Sequence, residues 1–310
     1  MTPPPLLAVW LHDLDPFALR FPDGFPLPGI RWYGLAYLAG FLVGWWMLRR
    51  VARVGRSPLT PPKVTDFVTA VAVGVIVGGR LGYCLFYDPS LLTRLDADQF
   101  PWWGVLQLNR GGMASHGGML GAAAGVAWFA WRQRLPFLFG LDLIALAAPA
   151  GLMFGRIANF INGELWGRPV DAAFPLAVRF PQEFGDPELL ADIRGGVPAA
   201  IAYANATLPA RHPSQLYAAG LEGVLVLACL LWYYRRPRVP GRAAAVFGLA
   251  YAAARIAGEF FREPDAELGL AAGLSRGQWL SLGLAATAAG LLAWTFRRPT
   301  PPLGGIVAEG

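Results

Sequence analysis

Polar and apolar positions alternate along this chain in long blocks. Apolar runs cover approximately residues 32–48, 65–87, 112–131, 140–158, 214–234, 243–261 and 278–296. Each is long enough to cross a hydrocarbon layer, which takes about 20 residues of helix. The pattern predicts an all-α, polytopic membrane protein with seven transmembrane helices. The one long stretch outside them, about 159–212, is rich in Pro, Gly and Asp and reads as a small external cap. Together these form a single membrane domain over 1–298, followed by a flexible cytoplasmic tail over 299–310. No internal repeat is visible.

The loops agree with an odd number of spans. The first span ends in "RRVARVGR", the third in "RQR", the fifth in "RRPRVPGR" and the seventh in "RR". Those short segments hold about half of all Lys and Arg, the bias that marks cytoplasmic loops. The opposite loops carry Asp88, Asp96, Asp98, Asp171, Asp186, Glu188 and Asp192. The N-terminus is therefore expected outside the cytoplasmic membrane and the C-terminus in the cytoplasm. The first thirty residues lack a basic segment leading into an apolar core, so no cleavable signal is expected.

Composition excludes an ordinary soluble domain: 55% of residues are hydrophobic, 15% are charged and mean hydropathy is +0.43. The net charge of +6 reflects the loop bias and is not read as a nucleic-acid surface. Cys84 and Cys229 both fall in apolar runs and are read as packing residues, with no disulfide or metal site.

The informative positions are the charges that the spans ought to avoid. A central charge costs about 2.5–3.5 kcal/mol on the insertion scale. Val246, Phe247, Leu249, Ile256, Phe260 and Phe261 of the sixth run each return only about 0.3–0.6 kcal/mol. Arg255 and Glu259 together outweigh that sum, so this helix needs partners. Arg255, Glu259 and Arg262 recur at i, i+4 and i+7 on one face. A self-neutralising Arg–Glu pair that locks helix packing and a functional site fit that spacing equally well. Arg80 either snorkels outward or faces a ligand. His116, between a serine and two glycines, has an accessible ring or simply stands at a close helix contact.

"GRIANFINGELWGRP", residues 155–169, is denser: Arg156, Asn159, Asn162, Glu164 and Arg168 gather where the fourth span ends. Guanidinium groups fork onto phosphate oxygens and amides bind headgroup hydroxyls, so an anionic-lipid site is one reading and a water-binding helix cap the other. Ser115 and His116 are adjacent and cannot face each other on a helix, which sets aside a serine protease. Asp66 and Asp142 near the cytoplasmic span ends are too few for a metal-dependent phospholipid synthase.

These residues resemble the bacterial prolipoprotein diacylglyceryl transferases. The stretch 155–169 is similar to the family signature, with Ala158 in place of the usual Gly. "RWYGLAYLAGF", "GGRLGYCLFY", "GGMASHGGMLG", "RHPSQLY" and "RIAGEFFREPD" match in the same order. Two departures stand out: Ala218 follows "HPSQLY" where an acid is usual, and "MASHGG" replaces a Ser-Phe-His arrangement.

The resemblance implies transfer of the diacylglyceryl group of phosphatidylglycerol to the lipobox cysteine of a preprolipoprotein, releasing glycerol phosphate, without cofactor or metal. It implies the same seven-span topology in the bacterial inner membrane. It places the important side chains at Tyr33, His116, Arg156, Asn159, Glu164, Gly167, Arg255 and Glu259. Arg156 and Arg255 are expected on the phosphate, Asn159 on the headgroup and His116 as base for the thiol, with Tyr33 a nearby donor. Glu259 is expected to orient Arg255, Glu164 to position Arg168 or the glycerol hydroxyls, and Arg80 to be a second phosphate contact. The partners are phosphatidylglycerol, the lipobox peptide and membrane lipids, with no nucleic acid. The competing expectation is a transporter or binding protein for an anionic lipid.

Overall fold

The computed structural model describes residues 9–22, 24–25, 28–96, 101–108, 111–263, 272–298 and 300–308. Asp98, the "PD" that closes the 255–265 motif and the last two residues of the tail lie outside the described residues.

Every predicted span falls on a helix. They are α1 (Trp32–Val54), α2 (Lys63–Phe86), α3 (Ser115–Gln133), α4 (Phe137–Asn162), a broken helix over Ser214–Tyr233, α9 (Arg242–Glu259) and α10 (Arg276–Phe296). Four of them, α2, α4, Ser214–Tyr233 and α10, are long and apolar enough to cross a membrane. The broken helix runs as α7 (Ser214–Ala218), a π-helical stretch over Ala219–Leu225 and α8 (Val226–Tyr233). Between α4 and α7 lie α5 (Pro187–Arg194) and α6 (Pro198–Thr207). Four short strands, β1 (Trp10–Leu11), β2 (Phe17–Arg20), β3 (Gly29–Arg31) and β4 (Val178–Arg179), pair as β1 with β4 and β2 with β3.

The chain forms two compact units. The first comprises residues 1–44, 146–233 and 245–294. Its segment 159–212 folds around Ile193, Ala200, Ala204 and Leu208, with Leu11 and Phe184 packed against them. α5 starts where Asp186 accepts from Glu188 N and Leu189 N and Pro187 opens the helix, a side-chain cap followed by a proline that needs no donor. His12 is buried among Trp10, Phe160 and Phe180, with Gln182 Nε2 at 2.9 Å from its Nδ1. Burial lowers the His12 pKa from its ordinary value.

The second unit comprises residues 45–145, 234–244 and 295–310. Here α2 and α3 meet through small residues: a Cβ on Gly78 would lie 2.7 Å from Gly121 Cα, so the backbones touch directly. Asp142 caps α9 across the chain, accepting from Gly241 N and Ala244 N at 2.8 Å each. Cys84 is buried, whereas Cys229 of the first unit is only half-buried, less enclosed than its apolar run predicts.

The tail corrects the expectation of a loose end. Leu303 exchanges both backbone bonds with Arg238, Gly304 does the same with Arg56, and Ile306 N donates to Tyr234 O. Its Pro and Gly content looks like disorder, but the glycines supply the positive φ at 304 and 305 that the path requires.

Candidate functional site

The site is built on the end of α4, which runs four residues beyond the expected stop at 158 and carries Arg156 and Asn159 on its last turns. Gly163 ends it in the left-handed region at φ +67, with Gly163 N bonded to Phe160 O and Glu164 N to Asn159 O. That turn brings Glu164 back onto α4. Asn159 Nδ2 donates to Glu164 Oε1 at 2.8 Å, and the Tyr33 hydroxyl donates to the same oxygen while accepting from Asn159. Burial raises the Glu164 pKa above the usual carboxylate value. Glu164 therefore pairs with Tyr33 and Asn159 and not with Arg168, whose Nε donates to Arg262 O instead.

The next residue, Leu165, holds φ +57, a conformation a branched side chain rarely adopts. It is pinned from "HPSQLY": Ser214 Oγ donates to Leu165 O at 3.0 Å and Gln215 Nε2 to Glu164 O at 2.7 Å. Gly167 lies where three segments converge; a Cβ there would be 2.6 Å from Phe261 O and 2.8 Å from His212 Cβ. Arg211 ties these segments together, forked onto Glu183 and also donating to Gly167 O and Glu263.

One turn before Asn159, Arg156 donates from Nε and Nη2 to Glu222 Oε2 at 3.1 and 2.9 Å. Arg255 Nη1 faces the other oxygen of Glu222 at 3.5 Å and its Nη2 pairs with Glu259, the contact that the i, i+4 spacing permits. Ser275 Oγ holds Glu259 from the far side at 2.8 Å. Glu222 is fully buried, yet the Arg156 and Arg255 side chains keep 17% and 14% of their surface. Both arginines line a small open recess together with Leu165, Ser214, Gln215, Ala218, Gly258 and Arg262.

Sequence reasoning missed Glu222. Its signal was present: it is a lone carboxylate inside the fifth apolar run, and the cost that singled out Arg255 and Glu259 applies to it equally. Glu222 stands four residues after Ala218 in a π-helical stretch, a geometry frequent at functional sites.

Arg80 and His116 belong to the second unit. Arg80 is buried and spends its guanidinium on backbone carbonyls: Nε on Val105, Nη1 on Gly111 and Gly112, Nη2 on Gly104 and Gln107. These bonds fold the α2–α3 connection; they leave no N–H pointing to a ligand, contrary to its expected place on a phosphate. His116 is exposed in the first turn of α3.

Long apolar helices that carry a half-buried Arg–Glu quartet beside an open recess define a membrane protein with charged groups among its helices. The prolipoprotein diacylglyceryl transferase family model matches residues 22–294. The chain belongs to that family. It is 41% identical to the phosphatidylglycerol–prolipoprotein diacylglyceryl transferase of Bdellovibrio bacteriovorus, covering 88% of this chain and 90% of that one. The corresponding proteins of Bordetella parapertussis and Rhodospirillum centenum are 43% and 45% identical, over 93% and 82% of this chain and 98% and 83% of theirs.

Proposed function

We propose that this chain transfers the diacylglyceryl group of phosphatidylglycerol to the lipobox cysteine of a prolipoprotein, the first step of bacterial lipoprotein maturation. The observation that carries the reading is the open recess that Arg156 and Arg255 both line, each held by Glu222. The peptide sulfur attacks the sn-3 carbon of the lipid; a C–S bond forms and the C–O bond to phosphate breaks. The bonding pair leaves with glycerol phosphate, and the thiol proton passes to a base. The phosphate goes from a diester monoanion to a monoester dianion, so a guanidinium clamp grips the transition state more tightly than the bound lipid.

In this reading Arg156 and Arg255 hold the phosphate, and Tyr33, Asn159 and Glu164 form a unit that receives the headgroup glycerol. Glu259 and Ser275 keep Arg255 in place, Gly167 permits the close strand crossing, and His116 is the thiol base. Arg80 is assigned to loop construction. All seven long helices span the inner membrane, with the N-terminus and the 159–212 cap on the outer face and the C-terminus in the cytoplasm. Phosphatidylglycerol and the lipobox peptide are the substrates.

The test uses purified protein in phosphatidylglycerol vesicles with a synthetic lipobox peptide. Release of glycerol phosphate, with a matching mass gain on the peptide cysteine, is the expected result. Saturable lipid binding without release identifies a carrier and ends the transferase reading.

A further inference from the structure

The quartet poses an electrostatic puzzle. A pocket meant to hold an anion is lined by Arg156, Arg255 and Arg262, yet the first two are paired with two carboxylates, Glu222 and Glu259. Glu259 is accounted for by Arg255 and Ser275. Glu222 differs because it serves both arginines: Oε2 takes two N–H groups of Arg156, and Oε1, which accepts no hydrogen bond among the described residues, faces Arg255 at 3.5 Å. A carboxylate is costly to bury and is not needed to fill space; an apolar side chain would pack there at lower cost. What only an acid supplies is a negative charge between the arginines, behind the open cavity.

We infer that Glu222 is a charge-setting residue: it holds the two guanidinium groups together and weakens their grip on phosphate, so that the product can leave. This rests on the transferase reading. The substrate brings one negative charge and the product, once the C–O bond has broken, brings about two at pH 8, since the second ionisation of a phosphate monoester lies near 6. An unopposed pair of guanidinium groups would bind the dianion more tightly than the lipid that must replace it. A fixed carboxylate repels the dianion about twice as strongly as the monoanion. Turnover, and not lipid capture, is what Glu222 serves.

The experiment compares Glu222→Gln with wild type in the vesicle assay at pH 8. The substitution keeps the shape and an acceptor for Arg156. The KM for phosphatidylglycerol should fall roughly tenfold, and inhibition by added glycerol phosphate should tighten roughly a hundredfold, the square expected for twice the charge. The first equivalent of peptide should still be lipidated in a burst before steady turnover slows. Glu222→Asp, which retains the charge, should restore the wild-type ratio of product to substrate affinity.

A structural role alone would weaken binding of both; that result, or equal shifts for both anions, overturns the inference. Should the Gln variant not fold, the wild type decides by itself, using glycerol phosphate and its singly charged methyl diester as inhibitors. Affinities within about threefold support the charge setting, and a dianion preference of tenfold or more removes it. Wild-type protein that releases no glycerol phosphate removes the transferase reading itself. Release together with a dianion preference of tenfold or more removes only this inference.

Discussion

Arg80 and the Arg156–Arg255 pair are the same residue type placed among apolar helices, yet their surroundings differ entirely. Arg80 is enclosed by five backbone carbonyls and has nothing left to offer a ligand. Arg156 and Arg255 rest on carboxylates, keep part of their side-chain surface and line an open recess. The burial cost is met in both places, by carbonyl dipoles in one and by opposite charge in the other. Only the second arrangement leaves donors for a third party. A buried arginine thus points to function when its partners leave part of its donor fork exposed to empty space.

The contrast breaks most sharply on substitution. Arg255→Ala should cut lipid transfer by about a hundredfold to a thousandfold, as loss of a donor to developing negative charge does, while the protein still inserts. Arg255→Lys should fail nearly as badly, because an ammonium lacks the two-pronged geometry. Normal turnover by either variant would place the pair in the same structural class as Arg80. Arg80→Ala should act through stability, lowering the unfolding free energy by about 3 kcal/mol or more as charge-assisted bonds are lost. Its remaining folded fraction should turn over at the wild-type rate per molecule. A thermal melt paired with an active-fraction titration separates the two.

Smaller effects sharpen the comparison within each unit. Asp142→Ala removes a cap on α9 and should cost about 1–2 kcal/mol, read as a lower melting temperature without a change in KM. His12 provides a pH test for the first unit. Its ordinary pKa is 6.5 and burial lowers it in the folded chain, so the unfolded chain takes up the proton first as pH falls. Its stabilising contribution is complete above about 6.5 and is lost below it. His12→Gln should flatten the stability profile in that range, and an unchanged slope would show that another group titrates there. Deleting 300–310 should have the smallest effect, opening the 55–62 and 235–241 connections to protease with transfer intact.

Much of the fold was legible because lipid imposes a local rule. Twenty apolar residues must become a helix, since every backbone group has to bond within its own segment. That rule located α1 to α4, the broken helix over Ser214–Tyr233, α9 and α10, but not the short α5 and α6, and the signature near 155–169 drew attention to the end of α4. Local spacing likewise predicted that Arg255 and Glu259 could meet. It did not reveal that α4 continues through Asn162, because the polar residues that seemed to end the helix are its last two turns, closed by Gly163.

From sequence alone came the helices, the i, i+4 pair and the set of side chains able to bind an anion; each depends on chemistry repeated within a few residues. Tertiary structure decided how those side chains are used. Arg156 and Glu222 are 66 positions apart, Tyr33 and Glu164 are 131 apart, and no periodicity links them. The acceptors that occupy Arg80 are carbonyls, which every residue possesses and which therefore leave no mark in a sequence. The paired tail escaped notice for the same reason: backbone hydrogen bonds hold it, and its side chains do not encode them.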